Sequence, residues 1–202
     1  MNGDLGRAMT TTRLEAFSDA VIAIIITIMV LELRVPHGTD LAALRPLVPV
    51  VISYVLSFIY LGIYWNNHHH MLHVTERVTG GMLWANLHLL FWLSLVPFVT
   101  AWMGENEFAP VPTAAYGVPL LMAALAYYIL QQLIIASQGP DSLLRRAVGG
   151  DWKGKASPLL YLLAIAVSPR WRELSMAIYV LVALIWLVPD RRIERAIAGA
   201  ER

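Results

Sequence analysis

The chain has 202 residues, 58% hydrophobic and 14% charged, and its mean hydropathy of +0.61 excludes both an ordinary soluble domain and a disordered chain. A formal net charge of +1 supplies no general pull toward nucleic acid. With no cysteine there is neither a disulfide framework nor a thiolate metal site.

Residues 1–12 form a polar leader. The first apolar run follows as RLEAFSDAVIAIIITIMVLEL, from Arg13 to Leu33. It lacks a small-residue cleavage site, so it is expected to stay in the protein as a membrane helix. Pro36 and Gly38 break the chain after it. A second run ends in Asn66-Asn67-His68-His69-His70, and a third carries Asn86, His88 and Pro97, where a kink is expected. A loop with Glu105 and Glu107 leads to the fourth run, which contains Gln131 and Gln132, and a basic loop follows. Two glutamines in lipid are expected to mark interhelical hydrogen bonds. The last apolar block is interrupted at Ser168-Pro169-Arg170-Trp171-Arg172-Glu173. Proline and three charges are costly in mid-bilayer, so the block reads as a hairpin of two helices.

These runs predict an all-α, polytopic membrane protein in which residues 1–202 form one domain. Its six transmembrane helices are expected at about 13–34, 44–73, 80–103, 112–137, 155–168 and 172–189. Six crossings place both termini on one side. With the termini inside, eleven Lys and Arg are internal (Arg7, Arg13, Arg77, Arg145, Arg146, Lys153, Lys155, Arg191, Arg192, Arg195, Arg202). Four (Arg34, Arg45, Arg170, Arg172) are external. This asymmetry predicts cytoplasmic termini.

At 100° per residue, Phe17, Ile24, Ile28 and Leu31 fall on one stripe of the first helix, with Thr27 at its edge. Asp19 lies about 140° from Ile24, turned away from that stripe. A carboxylate inside a membrane helix needs a partner, and none is in reach on the same helix face, so the partner belongs to another helix or subunit. Lipid contact, helix packing and a pore lining all suit the stripe, and periodicity does not choose between them.

His69 and His73 are spaced i, i+4, which suits a metal pair, and His88 is a candidate third ligand. The histidines, however, lie level with Asp19, and helices two to four carry no carboxylate to complete a site. The preferred reading is a polar network joining Arg13, Ser18 and Asp19 with Trp65, His68 or His69, and Asn86. His70 and His73 then read as surface residues. No metal and no cofactor are assigned. No phosphate loop, nucleophile triad or paired carboxylate site is present, so the chain does not read as an enzyme.

Arg13-x-x-x-Phe17-Ser18-Asp19 before an Ile-rich run resembles the RxxxFSD motif of the transmembrane protein 175 family of potassium channels. Trp65-x-x-His68-His69 resembles the family's Trp/His pattern, and Asn86 with Ser94-Leu95-Val96-Pro97-Phe98 its third helix. The likeness covers nearly the whole chain and is weakest in the final third. It implies a single-repeat prokaryotic member, forming a homotetramer in the plasma membrane and passing potassium ions. In that family the first helices line the pore without a carbonyl filter. The constriction then maps to Ile24, the selectivity-influencing threonine to Thr27, and further apolar layers to Ile28 and Leu31. Proton-coupled transport, or metal binding by the histidines of the second helix, are the alternatives the residues leave open.

Overall fold

The structure, a computed structural model, describes residues 10–139 and 142–187, and all regular structure in them is helical. Helix α1 (Thr11–Val30) is followed by a 3-10 helix (Leu41–Leu47) running into α2 (Val48–His73). Next come α3 (Gly80–Ser94), α4 (Val96–Glu105), α5 (Pro110–Gln138), the short α6 (Leu143–Val148), α7 (Trp152–Val167) and α8 (Arg172–Leu187). Arg7, Arg191, Arg192, Arg195 and Arg202, which contribute to the charge asymmetry, lie outside the described residues, as do residues 188–189 of the last expected helix.

Local chemistry sets most of these ends. Helix α1 stops short of residue 34 because its last amides turn to i−3 acceptors, with Leu31, Glu32 and Leu33 donating to Ile28, Met29 and Val30. Asp40 caps the 3-10 helix by accepting from the Ala43 amide at 3.1 Å. Proline occupies the first turn of α2, α4 and α5, where its missing N–H costs nothing. The third apolar run is interrupted at Leu95, two residues before Pro97, which cannot donate to the preceding turn. Asp151 starts α7 by accepting from the Gly154 amide at 3.0 Å. The charged break of the last apolar block is a turn at 168–171 between two 16-residue helices.

Two apolar cores share α2 and α5 as a common spine. One joins α1, α3, the second half of α2 and the second half of α5, around Ile22, Leu61, Leu89 and Leu130. The other joins α4, α7, α8 and the first part of α5, around Tyr60, Tyr116, Tyr161 and Tyr179. Two glycines permit close crossings. A Cβ on Gly104 would stand 2.4 Å from Ser53 Oγ and 2.8 Å from Val50 Cα. One on Gly117 would stand 2.2 Å from Tyr179 Oη, which donates to the Thr113 carbonyl at 3.1 Å.

The outside of the bundle is apolar over much of its length, with Phe58, Trp84, Phe91, Phe98 and Leu159 exposed. Among the described residues, three helical stretches are long and apolar enough to cross a bilayer: Leu41–His73, Gly80–Glu105 and Pro110–Gln138. Such a surface belongs against lipid or other subunits. The protein is an all-helical membrane protein.

Candidate pore face and the junction behind it

Helix α1 has two chemically different sides. Leu14, Ser18, Ile22, Ile25 and Met29 are buried against the bundle. The opposite side stays uncovered in the single chain, with Phe17 50%, Ile24 57%, Ile28 43% and Leu31 77% exposed. Arg13 and Thr27 are exposed on the same side. Thr27 Oγ1 donates to the Ala23 carbonyl at 2.7 Å, so its one proton is committed and its lone pairs remain outward. A groove lined by Ile24, Ile28, Pro97, Phe98 and Trp102 runs beside this face between α1 and α4, with Glu32 and Glu105 at its lining. Glu105 accepts from Arg34 at 2.6 Å, tying the loop after α1 to the end of α4.

The buried side of α1 is pinned by polar side chains. Ser18 Oγ donates to the Leu14 carbonyl at 2.8 Å and receives Asn86 Nδ2 at 2.9 Å. Asn86 Oδ1 meets His68 Nε2 at 2.7 Å. An amide oxygen only accepts, so His68 carries its proton on Nε2 and the chain of bonds has one direction, from α2 through α3 to α1. All three side chains are fully buried. His68 Nδ1 has no partner among the described residues.

Beside this chain, Trp65 Nε1 donates to Asp19 Oδ1 at 3.0 Å, and His69 Nδ1 meets Glu15 Oε1 at 2.5 Å. Each step of four up α1 matches a step of four down α2. That is the register of two antiparallel helices bringing i, i+4 rows together. His69 stacks between Trp65 and His73, with ring centres 6.3 and 6.1 Å away.

Of the residues expected in one network, the structure joins Ser18, Asn86 and His68 in one chain and Asp19 with Trp65 in a second contact. His69 goes to Glu15 instead, a partner the sequence reading passed over. The matching i, i+4 pairs Glu15/Asp19 and Trp65/His69 were the available signal. Arg13 and Phe17 stand outside the network: both line a recess with Leu83 and Leu87, and among the described residues no hydrogen bond joins Arg13 to Asp19. His88 Nε2 accepts from Trp92 Nε1 at 2.8 Å, which directs it away from the other histidines. Among the described residues, no three His, Asp or Glu side chains gather as a metal site. Gln131 departs from expectation, since its buried Oε1 has no partner among the described residues, and Gln132 is exposed.

The family profile for the endosomal/lysosomal potassium channel TMEM175 matches residues 13–97, from Arg13 at the head of the motif to Pro97 in α4. A potassium channel of Chryseobacterium sp. (strain P1-3) is 53% identical over 189 residues, covering 94% of this chain and 98% of that protein. The chain belongs to the TMEM175 family. A potassium channel of Streptomyces collinus is 36% identical over 126 residues, covering 58% of this chain and 61% of the relative. The crystal structure of a lysosomal potassium-selective channel TMEM175 homolog from Chamaesiphon minutus superposes with a TM-score of 0.79 at 29% identity, over 89% of this chain and 97% of that one. The TMEM175 profile spans the segment that builds both sides of α1: the uncovered stripe and the Ser18–Asn86–His68 junction.

Proposed function

We propose that this chain is an ion channel whose pore is lined by α1 and which passes potassium ions with modest selectivity over sodium. One observation carries the reading: Ile24, Thr27, Ile28 and Leu31 remain uncovered along a helix whose other side is fixed by core packing and buried hydrogen bonds. Surrounding four such stripes in a homotetramer gives stacked apolar rings. The relatives named potassium channels, and the potassium-selective homologue of matching fold, support the choice of ion.

The physics of that pore follows from its side chains. An isoleucine ring offers a cation no oxygen ligands, so Ile24 acts as a hydrophobic neck that gates by dewetting. Selectivity then rests on the lower cost of stripping water from K⁺ than from Na⁺, which yields a weaker preference than a carbonyl filter. Thr27, its proton held by Ala23, presents oxygen lone pairs three residues beyond the neck. Glu32 at the α1–α4 groove adds negative charge near one mouth, while the charge of Glu105 is paired with Arg34.

The whole chain forms one unit in this reading. Its six crossings are α1, the 3-10 helix with α2, α3 with α4, α5, α7 and α8, with both termini in the cytoplasm and the protein in the plasma membrane. The test is ion flux through purified protein in liposomes, comparing K⁺, Na⁺ and H⁺ gradients. Ile24→Asn and Ile24→Ala should bring the K⁺/Na⁺ ratio toward unity while flux persists. A ratio equal to wild type in both variants removes Ile24 as the neck. Flux that saturates and requires a proton gradient points to coupled transport instead.

A further inference from the structure

The outer face of α7 is sorted along its length. Trp152, Lys155, Leu159, Leu162 and Leu163 recur at helical spacing and are exposed, while Ser157, Tyr161 and Ala164 turn into the bundle. The exposed stripe is polar only in its first turn, where an indole and an ammonium precede three leucines. Tryptophan and lysine at the end of an apolar helix face mark the level where lipid tails give way to headgroups.

The segment before α7 adds charge at that level. Helix α6 is clamped to the bundle by Leu144, which is buried in the same core as Leu72 and Ile134. It begins where Ser142 Oγ accepts from the Arg145 amide at 3.2 Å, and it leaves the side chains of Arg145 and Arg146 exposed. The Gly149 amide donates to the Arg145 carbonyl at 3.1 Å. Lys155 Nζ reaches back to the next carbonyl along the chain, Gly150, at 3.2 Å. That bond draws the Lys155 charge to the α6–α7 turn, with two of its three protons still to place.

The cations outnumber their counter-charges here. Residues 138–155 carry four cations and two carboxylates, Asp141 and Asp151. Asp141 lies outside the described residues. Asp151 spends Oδ1 on the Gly154 amide, and Lys153 turns to the Trp186 ring, 5.9 Å from its centre. Among the described residues no carboxylate pairs with Arg145 or Arg146. The far end of the bundle, where Ser168 Oγ donates to the Pro110 carbonyl, is different: Arg172 pairs with Glu173 at 2.9 Å and Arg34 with Glu105 at 2.6 Å.

We propose that the α6–α7 corner binds one anionic phospholipid, its phosphate held by Arg145, Arg146 and Lys155 and its acyl chains laid along Leu159, Leu162 and Leu163. Guanidinium groups offer paired N–H donors to phosphate oxygens. A zwitterionic lipid has the same phosphate but brings an ammonium that the three cations repel, so the corner discriminates by net charge. The site stands apart from the proposed pore and does not depend on it, nor on which side of the membrane the termini lie.

The test is native mass spectrometry of the purified full-length protein in detergent, titrated with phosphatidylglycerol and, separately, with phosphatidylcholine of the same acyl chains. Wild type should bind phosphatidylglycerol more tightly by about tenfold or more, on the scale of about fivefold per cation at a membrane surface. The double variant Arg145→Gln/Arg146→Gln should bring the two lipids level, and Lys155→Gln should weaken phosphatidylglycerol by about fivefold. Arg170→Gln, exposed at the far end, should leave the affinity unchanged. Circular dichroism and elution volume confirm fold and assembly. Equal affinity of wild type for the two lipids overturns the proposal, as does a wild-type preference in the double variant. Glycerol 3-phosphate displacing the lipid at equal concentration removes the apolar stripe from the site and also overturns it. A double variant that falls into smaller assemblies assigns the corner to contact with a second copy and equally overturns it.

Discussion

Replacing Asn86 with leucine should cost more than any other single polar deletion at the α1–α2–α3 junction. The side chain is fully buried and makes two bonds, to Ser18 at 2.9 Å and His68 at 2.7 Å. Leucine keeps the branched shape and the number of side-chain heavy atoms but is bulkier, so no cavity opens. Ser18 keeps its bond to the Leu14 carbonyl and loses only an incoming donor, about 0.6 kcal/mol on the scale of interhelical bonds in membranes. His68 fares worse. Its Nδ1 already lacks a partner, so losing Asn86 leaves a buried imidazole with no hydrogen bond at all. An orphaned buried donor costs about 1–3 kcal/mol, giving about 2–4 kcal/mol in total. Reversible unfolding in mixed micelles, at matched protein concentration, measures this. A double-mutant cycle with His68→Leu sharpens it. Removing both partners is nearly neutral at that contact, so the double variant should be more stable than the sum of the singles predicts, by about 1 kcal/mol or more. Additive singles, or an Asn86→Leu protein within about 0.5 kcal/mol of wild type, would refute the claim that this amide holds the junction.

Other expectations rest on the same geometry. Asp19→Ala leaves Trp65 Nε1 without its acceptor, and should lower thermal stability and assembly yield while the K⁺/Na⁺ ratio of the surviving protein stays at wild type; a changed ratio with normal stability contradicts the anchoring role. Gly104→Ala forces α4 away from the Val50 backbone and should destabilise by about 1–3 kcal/mol in the same unfolding assay. Gly117→Ala meets Tyr179 Oη and Ile165 Cγ1, and its cost should shrink in a Tyr179→Phe background, where the nearest atom is gone. Arg34→Ala removes an exposed ion pair and should change stability by under about 1 kcal/mol, with the effect fading at high salt.

Much of α1 was legible from its residues because a helix has a single period. Once Ile24 was placed, the angle to Asp19 followed, and Asp19 indeed faces Trp65 rather than the open stripe. Ser18, Asn86 and His68 were readable as buried polar groups that need one another in an apolar setting. The Glu15–His69 pair was harder. It depends on the register of two antiparallel helices, which is set by packing and not written in either helix alone. The same limit hid a small cavity between α2, α5, α7 and α8, lined by Tyr60, Tyr64, Tyr127, Tyr161 and Gln131, since its tyrosines come from three helices. Gln131 illustrates the converse: a glutamine in an apolar helix does call for a partner, but the sequence does not reveal that the helix faces an open space. The short α6, inside what reads as a basic loop, begins where Ser142 Oγ accepts the Arg145 amide, a cap too brief to stand out by composition.

Helix α1 is held by one side only, and that arrangement separates two kinds of change. Ile24, Thr27, Ile28 and Leu31 stand outside both cores and stay exposed in the single chain, so altering them leaves the cores' own contacts in place. Ser18 and its partners are the reverse, fully buried, hydrogen-bonded to one another and turned away from the stripe. If α1 lines the pore as proposed, a lineage of such proteins is free to retune conduction one residue at a time, without first re-solving how the bundle holds together.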